Sequence, residues 1–336
     1  MKAYEIEKDW GIDNLVEVER AKPKAGPGQV VVAIKACSLN YRDLLTVLGK
    51  GGAKLPLIPF SDGAGDIVET GEGVTRVKKG DRVCPIFFPG WLDGGPSAYG
   101  RMQALGGSAP GTLQEFMVLD AEAVTPIPAH LSYLEASTLP CAAVTAWRAL
   151  VDEGRIKKDD WVLVQGTGGV SIFALQFAKM LGAKVVVTSS SDEKLECAKK
   201  LGADATINYR TTPEWAKAAM QATGGQGVDI VVEVGGAGTL NQSLSCARVG
   251  GTIVVIGLLT GVKQEVLVNV IFGKNLRVIG ISVGSRAQFE AMNKAIAEHR
   301  MKPVIDKVLP VSQVRDALKA MQAAGHFGKI CVEFGQ

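Results

Sequence analysis

The sequence predicts an α/β protein of two domains, one β-rich and one built on a doubly wound parallel sheet. Three observations carry this expectation. A strand–helix–strand rhythm sets in near residue 131, several strands in that half are apolar along their whole length, and short β-rich runs broken by glycine and proline come before it. At 336 residues the chain also exceeds what one ordinary core accommodates. The boundaries expected are 1–130 with 284–336 for the β-rich domain, and 131–283 for the parallel sheet.

In chain order, "QVVVAIKAC", "AGDIVETG" and "DRVCPIFF" read as strands of the first domain. The segment 89–111, "PGWLDGGPSAYGRMQALGGSAPG", has no period; a loop of that length reads as a functional lid or a mobile insertion. "WVLVQG" then leads into the helical pattern "SIFALQFAKMLG", stopped by Gly182. "KVVVTSS" is followed by a helix from Asp192 to Leu201 that Gly202 ends. "ATINY" precedes a helix for which Thr212 and Pro213 suit the N-cap and first position. "VDIVVEV", "GTIVVIG" and "LRVIGISV" complete six strands. A helix over 287–298 and the strand "GKICVEF" return to the first domain.

Composition narrows the partners. With 37 basic and 34 acidic side chains the net charge is only +3, and no run of five or six like charges is present, so an electrostatic footprint for nucleic acid or membrane is missing. A small molecule is the expected partner. The N-terminal "MKAYEIEKDWGID" lacks the apolar core of a signal peptide, which reads as cytoplasmic. Six cysteines without CxxC spacing read as reduced, buried thiols.

"VLVQGTGGVS" sets Gly166, Gly168 and Gly169 between a strand and a helix, the context in which glycines let a backbone pass close to a pyrophosphate at a helix N-terminus. The third glycine of GxGxxG is replaced by Ser171, at a position that packs helix on strand. Thr167 and Val170 complete the turn. The next strand ends in Ser189, Ser190 and Ser191 where an acid would hold the ribose of NAD; Lys194 and Arg210 lie nearby. Neutral donors with a cation suit a 2′-phosphate, so NADPH is the expected cofactor. Taken singly, Lys194 and Arg210 read equally well as solvated surface cations.

Joined together, "GQVVVAIKACSLNYRDLL", "PLIPFSDGAGDIVETGEGV", "KKGDRV", "GTLQEF", "STLPCAAVTAWRAL", the glycine turn and "GKICVEF" resemble the medium-chain dehydrogenase/reductase superfamily over essentially the whole chain. The resemblance implies a GroES-like first domain, a Rossmann second domain, an active site in the cleft between them, and a homodimer joined near residues 276–283. Zinc alcohol dehydrogenases of that superfamily carry a Cys, a His-Glu pair and a further Cys or Asp where this chain has Asn40, Ser61 with Asp62, and Cys141. Their four-cysteine structural lobe falls on 89–111, which contains no Cys, and His130, His299 and His326 show no metal spacing. No metal site is expected. The chain is most similar to the zinc-free branch of quinone oxidoreductases and enone or alkenal reductases, which implies Asn40 and Thr145 at the nicotinamide and Lys194 and Tyr209 at the adenosine phosphate; Lys329 is also expected among the cofactor contacts.

Without a Lewis acid, developing oxyanion charge must fall on hydrogen-bond donors, which calls for an electrophilic acceptor such as a quinone, enone or alkenal. The nicotinamide is expected against Thr145 and the turn Gly257, Leu258, Leu259, bordered by Val283 and Gly284. Asn40 and Tyr41 are expected to face the substrate oxygen, with Asp43 in the same catalytic group. Arg42 and Asp43 read either as an ion pair fixing the loop or as two surface residues. Trp91, Tyr99 and Phe272 read as an apolar pocket lining or as packing. The alternatives are a metal-free alcohol dehydrogenase or ketone reductase, and a non-catalytic NADPH-binding protein.

Overall fold

In the computed structural model, which describes residues 1–335, the chain divides into two compact units: Met1–Val144 with the chain from Val283 onward, and Thr145–Ser282. Residues 131–144 and Val283 therefore go with the first unit, not the second as the expected boundary has it. The reason is local. The helix Tyr133–Ser137 packs on the first unit's sheet, where Ser38 Oγ lies 3.0 Å from the Ser137 carbonyl and Arg82 Nη2 donates to that of Leu131 (2.7 Å).

Strands β1 (Lys2–Ile6) and β2 (Leu15–Glu19) pair antiparallel. The larger sheet uses β3 (Gln29–Ser38), β4 (Asp62–Thr70), β5 (Arg82–Pro85), β6 (Phe116–Asp120) and β7 (Val124–Pro126). The second unit holds β8 (Trp161–Gln165), β9 (Lys184–Ser189), β10 (Ala205–Asn208), β11 (Val228–Glu233), β12 (Ala247–Val255) and β13 (Arg277–Gly280). The chain then returns to the first unit with β14 (Ile305–Pro310) and β15 (Lys329–Glu333).

The first unit's sheet runs β14-β15-β3-β4-β5-β7, with β6 on the other part of β3. Val30, Val32, Ile34, Phe60, Leu113, Ile330 and Val332 lie in its core. The last strand of the chain is thus an interior strand, paired antiparallel with the C-terminal end of β3. The second unit's six strands are parallel in the order β10-β9-β8-β11-β12-β13, the doubly wound arrangement, which puts the reversal of strand order between β8 and β11. Val162, Val164, Val186, Val231 and Ile253 are buried, as a sheet covered on both faces requires.

Helices Gly169–Met180 and Asp192–Lys200 end where Gly182 (φ +81) and Gly202 (φ +100) supply left-handed turns. The helix expected to open at Thr212 and Pro213 instead begins at Trp215, because the Pro213 carbonyl accepts from Gln242 Nε2 (2.9 Å) outside the helical register. The final strand expected over 276–283 narrows to β13. In segment 89–111, Trp91 is buried against Phe88 and its carbonyl accepts from Arg286 N (3.0 Å), while Tyr99 is exposed; the two do not line a common pocket. Phe272, in the second unit, is also exposed.

Candidate active site

Each unit carries one buried polar constellation. In the first, the chain leaves β3 and turns into the helix Tyr41–Val47, with Asn40 at its N-cap. Asp43 is wholly buried; one carboxylate oxygen accepts from the Asn40 backbone N (2.8 Å) and the other from Arg42 Nη1 (3.0 Å). Arg42 also donates to the carbonyls of Leu105 (2.8 Å) and Gly106 (3.2 Å), so the ion-pair reading of these two residues is the one realised. Asp43, expected in the catalytic group, holds Asn40 and the 105–106 loop in place. Tyr41 is exposed, so that of the two residues expected at the substrate oxygen only Asn40 is built into the buried cluster.

The segment "PFSDG" reaches the same place from β4. Phe60 holds a left-handed backbone (φ +71), a costly conformation for an aromatic residue, and it delivers Ser61 and Asp62 into the interior. Asp62 is fully buried and takes hydrogen bonds from Ser38 Oγ (3.1 Å) and Ser61 Oγ (3.2 Å). From β15, Lys329 brings its ammonium into this cluster at 2 % exposure. It donates to the Leu39 carbonyl (2.6 Å) and to Asn40 Oδ1 (2.6 Å), and it lies 3.6 Å from Asp62 Oδ2. Burial pushes the Asp62 carboxyl up to about 6, opposed by Lys329 and assisted by the charge of Asp43.

This donor set does not fit a catalytic zinc. Asn40 and Ser61 are neutral, and Asp62 already faces an ammonium. Of the four positions only Cys141 carries a thiol donor, short of the three protein ligands a catalytic zinc needs. Among the described residues no three His, Cys, Asp or Glu side chains are grouped to hold a metal ion.

In the second unit the glycine turn closes β8. Gly166 has φ +70, and the helix Gly169–Met180 starts from Gly168 without a side-chain cap. A Cβ placed on either Gly166 or Gly168 would meet no atom within 4 Å, so nothing inside the protein requires the bare backbone at Gly168, whose φ is ordinary. Open space over an uncapped helix N-terminus fits a dinucleotide pyrophosphate. Beside it lies a cavity of about 390 Å³ lined by Gly166, Thr188, Tyr209, Trp215 and Thr260.

The strand end expected to read the ribose is partly committed elsewhere. Ser191 caps the helix Asp192–Lys200, accepting from Lys194 N (3.3 Å), and Ser189 Oγ accepts from Ser191 N (3.3 Å). Ser190 and Lys194 are half-buried, and Tyr209 and Arg210 are exposed. Asp192, one residue past the serines, accepts from Asn208 Nδ2 (2.8 Å). Thr145 is buried, whereas Leu258 and Leu259 are exposed. Gly257 has a packing role of its own, since a Cβ there would lie 2.3 Å from the Val234 carbonyl oxygen. Val283, in the first unit, is buried at φ +49, a strained setting for a β-branched residue. Lys329 is not among these residues; its partners lie in the first unit.

One feature of the second site was not anticipated. Glu233, at the end of β11 and wholly buried, accepts from Gln165 Nε2 (2.7 Å), Ser243 Oγ, Thr239 Oγ1 (2.6 Å) and the backbone N of Gly235 (2.8 Å) and Gly236 (2.9 Å). It thereby fixes the turn after β11. Its signal is an acid at the end of the apolar run "IVVEV".

Residues 26–129 match the alcohol dehydrogenase GroES-like domain and residues 169–298 the zinc-binding dehydrogenase domain. A zinc-type alcohol dehydrogenase-like protein of Schizosaccharomyces pombe is 46% identical over 332 residues, 96% of each chain. The chain belongs to the medium-chain dehydrogenase/reductase superfamily. Among solved members, a Sinorhizobium meliloti 1021 protein classed as an alcohol dehydrogenase superposes with a TM-score of 0.92 at 42% identity, covering 99% of this chain and 98% of the other. An NAD-dependent alcohol dehydrogenase superposes with a TM-score of 0.91 at 32% identity over the full length of both. The first unit is thus the GroES-like domain and the second the Rossmann-like domain of an NAD(P)-dependent, alcohol dehydrogenase-like oxidoreductase. Among the described residues no helix is long and apolar enough to cross a membrane.

Proposed function

We propose that this oxidoreductase works without zinc, prefers NADPH, and reduces activated carbonyl compounds: quinones, enones or alkenals. The observation that carries the reading is the buried cluster of Asn40, Ser61, Asp62 and Lys329, in which a protein ammonium already supplies the positive charge beside the carboxylate. Gly166, Gly168 and the backbone opening the helix Gly169–Met180 would hold the pyrophosphate; Ser190, Lys194 and Tyr209 would meet the adenosine phosphate. When bound, the cofactor supplies hydride. Asn40 donates a hydrogen bond to the oxygen on which charge develops, a service sufficient for an acceptor whose charge delocalises into an enolate or phenolate. Tyr41, exposed at the first helical position, or a water supplies the proton.

A second reading, a dehydrogenase of alcohols or saturated ketones, is favoured by the names its relatives carry. One experiment separates the two. NADPH and NADH oxidation is followed against a panel of enones, quinones and saturated ketones, with zinc content determined on the same sample. Turnover of enones or quinones with NADPH in zinc-free protein is the expected result. Ketone reduction alone, a preference for NADH, or stoichiometric zinc with turnover lost on chelation would reject the corresponding part of the proposal.

A further inference from the structure

We propose that Lys329 is a positioning residue for the reaction, acting through Asn40; this deepens the metal-independent reading above and rests on it. The distances distinguish this role from simple charge neutralisation. If the ammonium served only Asp62, the carboxylate would be its nearest acceptor. Instead it sits 2.6 Å from the Leu39 carbonyl and 2.6 Å from Asn40 Oδ1, and 3.6 Å from Asp62 Oδ2. Two neutral oxygens on consecutive residues hold the cation, and the carboxylate is its looser partner.

The consequence falls on the Asn40 carboxamide. An amide offers an acceptor at one end and two donors at the other, and rotation by half a turn exchanges them. A buried ammonium against Oδ1 forbids the exchange, because the rotated amide would set its NH₂ against a positive charge. Nδ2 is left facing the other way, toward Ser61 Oγ (3.4 Å) and the Asp62 carboxylate, to which the amide also donates, while Asp43 fixes the Asn40 backbone N. The same contact draws electron density toward Oδ1 and makes the Nδ2 hydrogens better donors. Asn40 is thus held, oriented and polarised from one side, as a donor for developing negative charge must be.

The test is a set of full-length variants, since Lys329→Met alone leaves Asp62 buried and unpaired. The double variant Lys329→Met/Asp62→Asn removes both charges together. Melting temperature, NADPH affinity by fluorescence titration, and kcat and KM are measured on an electrophile that zinc-free wild type reduces. The double variant is expected to fold and to bind NADPH within about threefold of wild type, with kcat lowered by about 10²-fold, the usual loss for one oxyanion donor. Adding Asn40→Ala to that background is expected to lower kcat little further, because both changes remove the same interaction. Wild-type kcat in the double variant would reduce Lys329 to a counter-ion and overturn the assignment. A loss confined to NADPH affinity would overturn it in favour of cofactor binding. If wild type itself requires added zinc for turnover, the metal-independent reading fails first, so the two failures are told apart.

Discussion

The two units each bury a carboxylate completely, and they do it in opposite ways. Glu233 is surrounded by neutral donors, two backbone N–H groups, two hydroxyls and one amide, that come from three adjacent chain segments of the Rossmann-like unit. Asp62 has two hydroxyls, the Asn40 amide and a cation held off at 3.6 Å. A carboxylate saturated by hydrogen bonds is a rigid fixture, and Glu233 uses that rigidity to fix the turn after β11. At Asp62, which faces a charge as well as neutral donors, burial outweighs its partners and lifts the carboxyl to about 6 despite the nearby ammonium. The contrast separates a framework device from a chemical one.

The comparison breaks most visibly at Lys329. Lys329→Met is expected to destabilise the protein at neutral pH by about 3–5 kcal/mol, the cost of stranding one member of a buried ion pair, read as a lowered denaturation midpoint. The same pair sets a pH dependence. The folded Asp62 carboxyl is raised above its ordinary 3.8 to about 6, so between those values the folded state retains a proton that the unfolded chain releases. Stability from this group is therefore expected to fall as pH rises from about 4 to about 6 and to level off above. The difference in melting temperature between wild type and Asp62→Asn across that window measures it, and the Lys329→Met penalty is expected to shrink at the acid end.

Glu233→Gln should cost less, about 1–3 kcal/mol, because the amide NH₂ confronts donors that have lost their acceptor, but no charge is stranded. A urea titration gives the value, and a penalty equal to that of Lys329→Met would erase the proposed distinction. The smallest effect on folding is expected at Gly168→Ala. The free protein has room for the methyl group and an ordinary φ, so stability should stay within about 0.5 kcal/mol of wild type. Dinucleotide affinity should nevertheless fall by about tenfold or more, worth about 1.4 kcal/mol, if backbone approaches the pyrophosphate there.

Most of the framework was legible from the chain because it rests on short-range patterns. The six strands of the Rossmann-like unit are apolar runs, and the helices Gly169–Met180 and Asp192–Lys200 end at glycines whose positive φ the sequence announces. The helix start misplaced at Thr212 shows the limit, since Gln242 reaches in from a distant segment to take the Pro213 carbonyl. The two buried constellations were legible only in part. Asn40 and the glycine turn stand in recognisable motifs, but the contact of Lys329 with Asn40 depends on the last strand entering the sheet beside β3. No local pattern encodes that pairing. A usable signal did exist: single acids within apolar stretches, "IPFSDGAG" and "IVVEV", demand partners from elsewhere in the fold.

The interior position of β15 has a further effect on biosynthesis. The strand that completes the interior of the GroES-like sheet is made after the whole nucleotide-binding unit. Until it arrives, the pocket around Asn40 lacks its ammonium and the sheet lacks a central member. The Rossmann-like unit can therefore fold before the first unit is complete, whereas the cluster around Asn40 is assembled only once residues 329–333 have docked beside β3.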